Sequence, residues 1–292
     1  MKRPFIQIIV WLGVMAALTL LAFGIWYLAC GGSQSTASLK WLQLLQTFGT
    51  FLLPPIVCAW FWSTTHQPFT WLGLRRGMSW QVALLAIVTM VCAIPGINLL
   101  ADFNSRIVLP ENLAWFEQWL KQMEEKATQL TERFLQADNV GMLLLNVGLL
   151  ALLPALAEEL SFRGTLQQIL AKNQDSGTKI HSAIWVTAFV FSAIHMQFYG
   201  FIPRMLMGAM FGYVFVWTGS LWAPILMHFT NNGIAVIVYY LTSADRESVT
   251  DSHELTTNWA DTVGSGSMWW LGVLSIIAVC ILLYCIRKSE RH

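Results

Sequence analysis

The sequence predicts an all-α fold: a polytopic membrane helical bundle of about eight transmembrane helices, with an amphipathic extracytoplasmic helical segment. Three observations predict it. Of 292 residues, 56% are hydrophobic and 11% charged, and mean hydropathy is +0.56, outside the range of an ordinary soluble domain. Several apolar runs approach or exceed the roughly 18–20 residues that a helix needs to cross a bilayer. Short polar segments separate these runs, and a helix satisfies its own backbone across lipid.

The elements follow in order. The first apolar run has the charged start of a signal peptide. Its apolar part is longer than an h-region and no small-residue cleavage site follows, so about 5–29 reads as a retained span. The next spans are about 41–63 and 79–101. In 103–139, Phe116, Leu120, Met123, Ala127, Leu130 and Phe134 recur at spacings of four and three, which predicts an amphipathic extracytoplasmic helix that lies on the outer surface or packs over the bundle. Five further spans follow at about 144–170, 181–198, 202–218, 221–241 and 267–286. The chain reads as a single integral membrane domain, 1–292, whose chemistry-bearing core is 140–240.

Charge sets the orientation. With both termini cytoplasmic, the inner segments collect Lys2, Arg3, Arg75, Arg76, Lys172, Lys179, Arg287, Lys288 and Arg291. The outer segments are acidic, with Glu111, Glu117, Glu124, Glu125, Glu132 and Asp138 in one and Asp245, Glu247, Asp251, Glu254 and Asp261 in the other. A net charge of +1 and the lack of a basic tract exclude nucleic acid as a partner. Cys30, Cys58, Cys92, Cys280 and Cys285 sit in or beside apolar spans without paired loop spacing, and read as small core residues.

Against this background, "ALAEELSFRGTL" places three charges at the end of an apolar run. Each costs roughly 2.5–3.5 kcal/mol at bilayer depth unless it is paired or functional. Glu159 and Arg163 are four apart, acid first, and can neutralise each other. Glu158 points about 100° away and is left over. An antiparallel hairpin through "KNQDSGTKI" brings His195 level with it, each about 21 Å of helix from the turn. In the seventh span His228 and Asn232 share a face, and Pro224 removes a ladder hydrogen bond and bends the helix. His228 comes out only about 13 Å from the turn near Gly219, so that turn must sink below the headgroups to bring it level with Glu158. Gly208 and Gly212 form a small face for close helix packing.

A carboxylate, two imidazoles and a carboxamide in a dry cavity supply a general base, a second proton carrier and donors for a developing oxyanion, which suits amide hydrolysis. Ser161 and Ser192 lie on other faces, so activated water is the expected nucleophile.

"EELSFRG", "FSAIH" and "HFTNN" resemble, in order, the three motifs of the CPBP intramembrane proteases, the superfamily of type II CAAX prenyl endopeptidases and bacteriocin-processing or self-immunity proteins. By this resemblance Glu158 and His195 activate water, His228 and Asn232 stabilise the oxyanion, and Glu159 and Arg163 support the first motif. The family is often labelled metalloprotease, though its motifs lack the ligand pair of soluble zincins. Glu158, His195 and His228 would form a zinc site with an open position, so glutamate-dependent and zinc-dependent mechanisms both stay open. The implied protein sits in a bacterial inner membrane and cuts membrane-associated or lipidated proteins or peptides near the cytoplasmic side. Two other readings compete: a non-enzymatic immunity or assembly protein of the same superfamily, and a proton-coupled transporter. Against the transporter, the sequence shows no inverted repeat.

Overall fold

The computed structural model describes residues 4–63, 66–171, 177–246 and 263–290. Its principal helices are α1 (Pro4–Cys30), α2 (Thr36–Trp62), α3 (Trp80–Ser105), α4 (Ala114–Leu135), α5 (Val140–Ala171), α6 (Gly177–Ala193), α7 (Phe201–Thr218), α8 (Trp222–Arg246) and α9 (Trp269–Ser289). No strand occurs among the described residues. Of these, α1, α2, α3, α5, α7 and α9 (the last with the short turn before it) are long and apolar enough to cross a membrane. The apolar part of α6, Lys179–Ala193, is shorter, and α8 carries the polar run His228, Thr230, Asn231 and Asn232.

The starts of α2, α3 and α5 carry the expected caps. Ser35, Ser79 and Asn139 side chains accept from the backbone N–H of Ser38, Val82 and Met142. Proline shapes α2 and α5 from within, because it offers no N–H to the carbonyl four residues back. Just before Pro54–Pro55 and before Pro154 the backbone widens into π turns, Thr47–Leu52 and Val147–Leu152. Ser161 Oγ donates to Phe51 O at 2.8 Å, the carbonyl that Pro55 leaves free, and so ties α5 to α2. Pro224 departs from expectation. It stands in the first turn of α8, where the N–H has no helical partner, so it removes no ladder bond and causes no bend beside His228.

The bundle has two distinct ends. At one, Arg76 pairs with Glu290, Ser220 donates to Arg76 O and Trp222 Nε1 to Leu74 O. At the other, Arg133 donates to Gln34 O, Asn104 to Phe198 O and Asn146 to Leu135 O. Trp26 Nε1 donates to Ser38 O, joining the end of α1 to the start of α2. Residues 4 and 290 therefore share the first end, and α4 lies across the second. Arg75, Arg76, Arg287 and Lys288 gather at the first end, while Lys2, Arg3, Lys172, Arg291, Glu247, Asp251, Glu254 and Asp261, and the side chain of Asp245, lie outside the described residues.

Within α4, Leu120 and Phe134 are buried and Phe116, Met123 and Ala127 half-buried, so the apolar stripe faces the bundle; Leu130 is more exposed. At the centre, Leu160, Phe162 and Leu166 of α5 pack with Ala59 and Cys58 of α2, Phe191 of α6, Phe215 of α7 and Ile225 of α8. Large side chains such as Leu20, Leu28, Phe61, Leu144 and Ile281 point outward, as a lipid-facing surface requires. Cys58 is in the core as expected, but Cys280 and Cys285 are exposed on α9. At those two positions the core expectation fails because an apolar span buries only one face.

Candidate active site

The site is built outward from the pair that the helix spacing requires. Arg163 Nη1 donates to Glu159 Oε1 at 2.7 Å, with both side chains fully buried. The guanidinium also donates to Gly208 O at 2.9 Å and lies over the rings of Phe191 (4.6 Å) and Phe211 (5.3 Å). One turn along, Gln167 donates to Gly212 O at 3.1 Å. Gly208 and Gly212 thus do more than pack: lacking side chains, they let α5 reach two backbone carbonyls of α7.

Glu159 carries a second bond that the sequence did not announce. Its Oε1 also accepts from His228 Nδ1 at 2.9 Å. That bond fixes the ring and leaves Nε2 as its open corner, 4.0 Å from Glu158 Oε2. The depth mismatch is resolved at the α7–α8 turn. Leu221 packs on Gly164 and Leu72, and its N–H donates to Gly73 O, so the turn lies level with Gly164, about 10 Å of helix short of Ala171. The turn is sunk as the argument requires.

His195 reaches the same level by another route. Helix α6 ends at Ala193, and Met196 follows in the left-handed region at φ 54°, so His195 stands in a turn and not in the middle of a span. His195 Nδ1 is 2.7 Å from Phe191 O, which leaves Nε2 open. The hairpin segment 172–176 lies outside the described residues. Asn232 Nδ2 lies 3.4 Å from Leu150 O, the carbonyl that Pro154 leaves without its helical donor, and Asn232 Oδ1 accepts from Asn231 at 3.2 Å.

Glu158, His195, His228 and Asn232 all line one cavity of about 460 Å³, with Phe191, Phe211 and Val236 among its apolar walls. Glu158 Oε2 is buried there without a hydrogen-bond partner among the described residues. Ser161 and Ser192 donate to the carbonyls of Phe51 and Phe201 and take no part. Sequence reading missed Arg204, which also lines the cavity. The rule that singled out Glu158, an ionisable side chain inside an apolar run, applies equally to "FIPRMLMGAM". It also missed Leu130, Thr131, Phe134 and Leu135 of α4, which roof the cavity.

The zinc alternative does not fit this arrangement. Among the described residues no three His, Cys, Asp or Glu side chains gather closely enough to hold one metal ion, Glu158, His195 and His228 included.

Residues 140–234 match the family model described as Rce1-like, type II CAAX prenyl endopeptidase, a stretch that contains all three motifs. The recognition drawn from those motifs is borne out over this stretch, which is about a third of the chain. Over 84 residues the chain is 32% identical to the uncharacterized protein YpbD of Bacillus subtilis (strain 168), covering 27% of this chain and 38% of that protein. The chain thus spans well under two thirds of that relative's length. No solved structure matches.

Proposed function

We propose that the chain is an intramembrane endopeptidase that hydrolyses peptide bonds of membrane-associated or lipidated proteins or peptides. The observation that carries this reading is the convergence of Glu158, His195, His228 and Asn232 on one largely apolar cavity. Water held between Glu158 and the open Nε2 of His195 loses a proton to them as it attacks the carbonyl carbon. Charge then develops on the carbonyl oxygen, toward His228 Nε2 and the Asn232 amide. A proton taken up at Nε2 makes His228 a donor to that oxygen, and Glu159 at Nδ1 stabilises the imidazolium. The proton that water gave up to Glu158 and His195 passes to the leaving nitrogen as the C–N bond breaks. Every step runs through side chains.

Side chains of α4 line the cavity from one end of the bundle, while Glu158 stands about 20 Å of helix from Ala171 and about 27 Å from Val140. The gathering of Arg75, Arg76, Arg287 and Lys288 at the end shared by residues 4 and 290 supports cytoplasmic termini.

The test is cleavage of a membrane-peptide library by the purified full chain in detergent. Glu158→Ala and His195→Ala are each expected to slow turnover at least about 100-fold. Equal turnover by wild type and Glu158→Ala would end the proposal. A cellular phenotype that survives both Glu158→Gln and His195→Ala would favour the non-enzymatic immunity or assembly reading.

A further inference from the structure

Arg204 stands in the first turn of α7 and lines the cavity, yet the proposed reaction gives it no task. Its Nη2 donates to Gln197 Oε1 at 2.6 Å. Its Nη1 is buried and has no hydrogen-bond partner among the described residues. Glu158 and Glu124 of α4 are the acids whose charge it feels, and neither forms an ion pair with it; Glu124 Oε2 instead accepts from Tyr199 N at 2.9 Å. A half-buried guanidinium with one buried, idle N–H costs stability, and the cost is relieved when a ligand supplies the missing acceptor. A guanidinium is shaped to hold a carboxylate. A phosphate dianion beside Glu158 and Glu124 would meet more repulsion than a single negative charge does.

We propose that Arg204 anchors a carboxylate of the bound peptide and so sets which peptide bond is presented to Glu158 and His195. The carboxylate belongs either to the peptide's C-terminus or to an acidic side chain. The presentation half of this proposal rests on the protease reading; the anchoring half does not. His195 and Arg204 flank the same turn between α6 and α7, which Asn104 ties down at Phe198 O and Ile202 N. An anchored carboxylate therefore lies at a fixed offset from the reacting carbonyl.

The experiment uses the full chain immobilised in detergent and three pools of randomised apolar decapeptides. The first has free C-termini and no acidic residue, the second is the same pool amidated, and the third is amidated with one glutamate at a random position. Retained and cleaved peptides are read by mass spectrometry for wild type, Arg204→Gln, Arg204→Lys and Glu158→Gln. Wild type is expected to enrich one carboxylate pool over the plain amide about tenfold or more, the first pool indicating a terminal source and the third a side-chain source. Arg204→Gln should lose the preference and Arg204→Lys keep part of it; the lysine variant guards against loss by misfolding. Glu158→Gln should keep enrichment while cleavage stops. Equal retention of all three pools by wild type, or an undiminished preference in Arg204→Gln, overturns the assignment. Enrichment without cleavage by wild type would count against the protease and leave the anchor standing; cleavage indifferent to carboxylate would do the reverse.

Discussion

Two adjacent glutamates should respond to the same substitution to very different extents. Glu159→Ala removes the acceptor of both Arg163 and His228 and strands a guanidinium with no solvent exposure. Breaking one side of a buried pair typically costs about 3–5 kcal/mol. Arg163 keeps Gly208 O and two aromatic faces in the variant, each face worth about 0.5–2 kcal/mol, so the loss should fall near the lower end, about 3 kcal/mol. Glu158→Ala removes a carboxylate whose Oε2 already lacks a partner. The relief of that orphan, about 1–3 kcal/mol, offsets the lost packing, and stability should stay within about 1 kcal/mol of wild type. Unfolding in mixed micelles of rising sodium dodecyl sulfate, followed by the fluorescence of the 15 tryptophans, reads both variants. Equal losses, or a Glu159→Ala protein as stable as wild type, would refute the partition of one glutamate to structure and its neighbour to chemistry.

Three further outcomes are expected. Gly212→Ala places a Cβ 2.6 Å from Gln167 Oε1 and 2.9 Å from Ile184 Cγ2, so the same titration should show a loss of about 1–3 kcal/mol; no loss would mean that α5 and α7 are not closely packed there. Asn146→Leu takes the acceptor from buried Lys40 Nζ (2.8 Å) and the donor from the carbonyls of Leu135 and Gln136. It should cost about 1.5–3 kcal/mol and speed hydrogen exchange around 135–142, and unchanged exchange there would show that Asn146 does not hold the end of α4. On α4 itself, the hydrogen bond from Lys121 holds the Glu117 carboxyl below the usual carboxylate range, so this pair's local contribution is present above that range and fades as pH falls through it. Carbon-13 titration should show the depressed midpoint in wild type and an ordinary one in Lys121→Met.

Much of this molecule was legible in one dimension. Apolar runs and their polar breaks place the helices within a few residues, because crossing lipid leaves a backbone little alternative. The cap residues Ser35, Ser79 and Asn139 lie close to the predicted starts of their helices. The Glu159–Arg163 pair follows from a spacing of four and the cost of charge in an apolar run. The same two rules make Glu158 the leftover charge.

Long-range partners were decided elsewhere. Helix spacing assigns Glu159 to Arg163, but only the packing of α8 on α5 adds His228 to the same oxygen and so turns a structural pair into the support of an active-site ring. A depth count puts His195 in a span; the structure puts it in a turn after Ala193 and reaches the same level by ending α6 early. Pro154 in the sequence announces an unpaired Leu150 carbonyl, but not that Asn232 would lie beside it. The roof of the cavity had no signal at all, since the stripe on α4 says that it faces something apolar and not what. Periodicity and the cost of a bare charge are local quantities, written along the chain. Which carbonyl, ring or roof meets them depends on how separated helices settle against one another, and that only the assembled bundle determines.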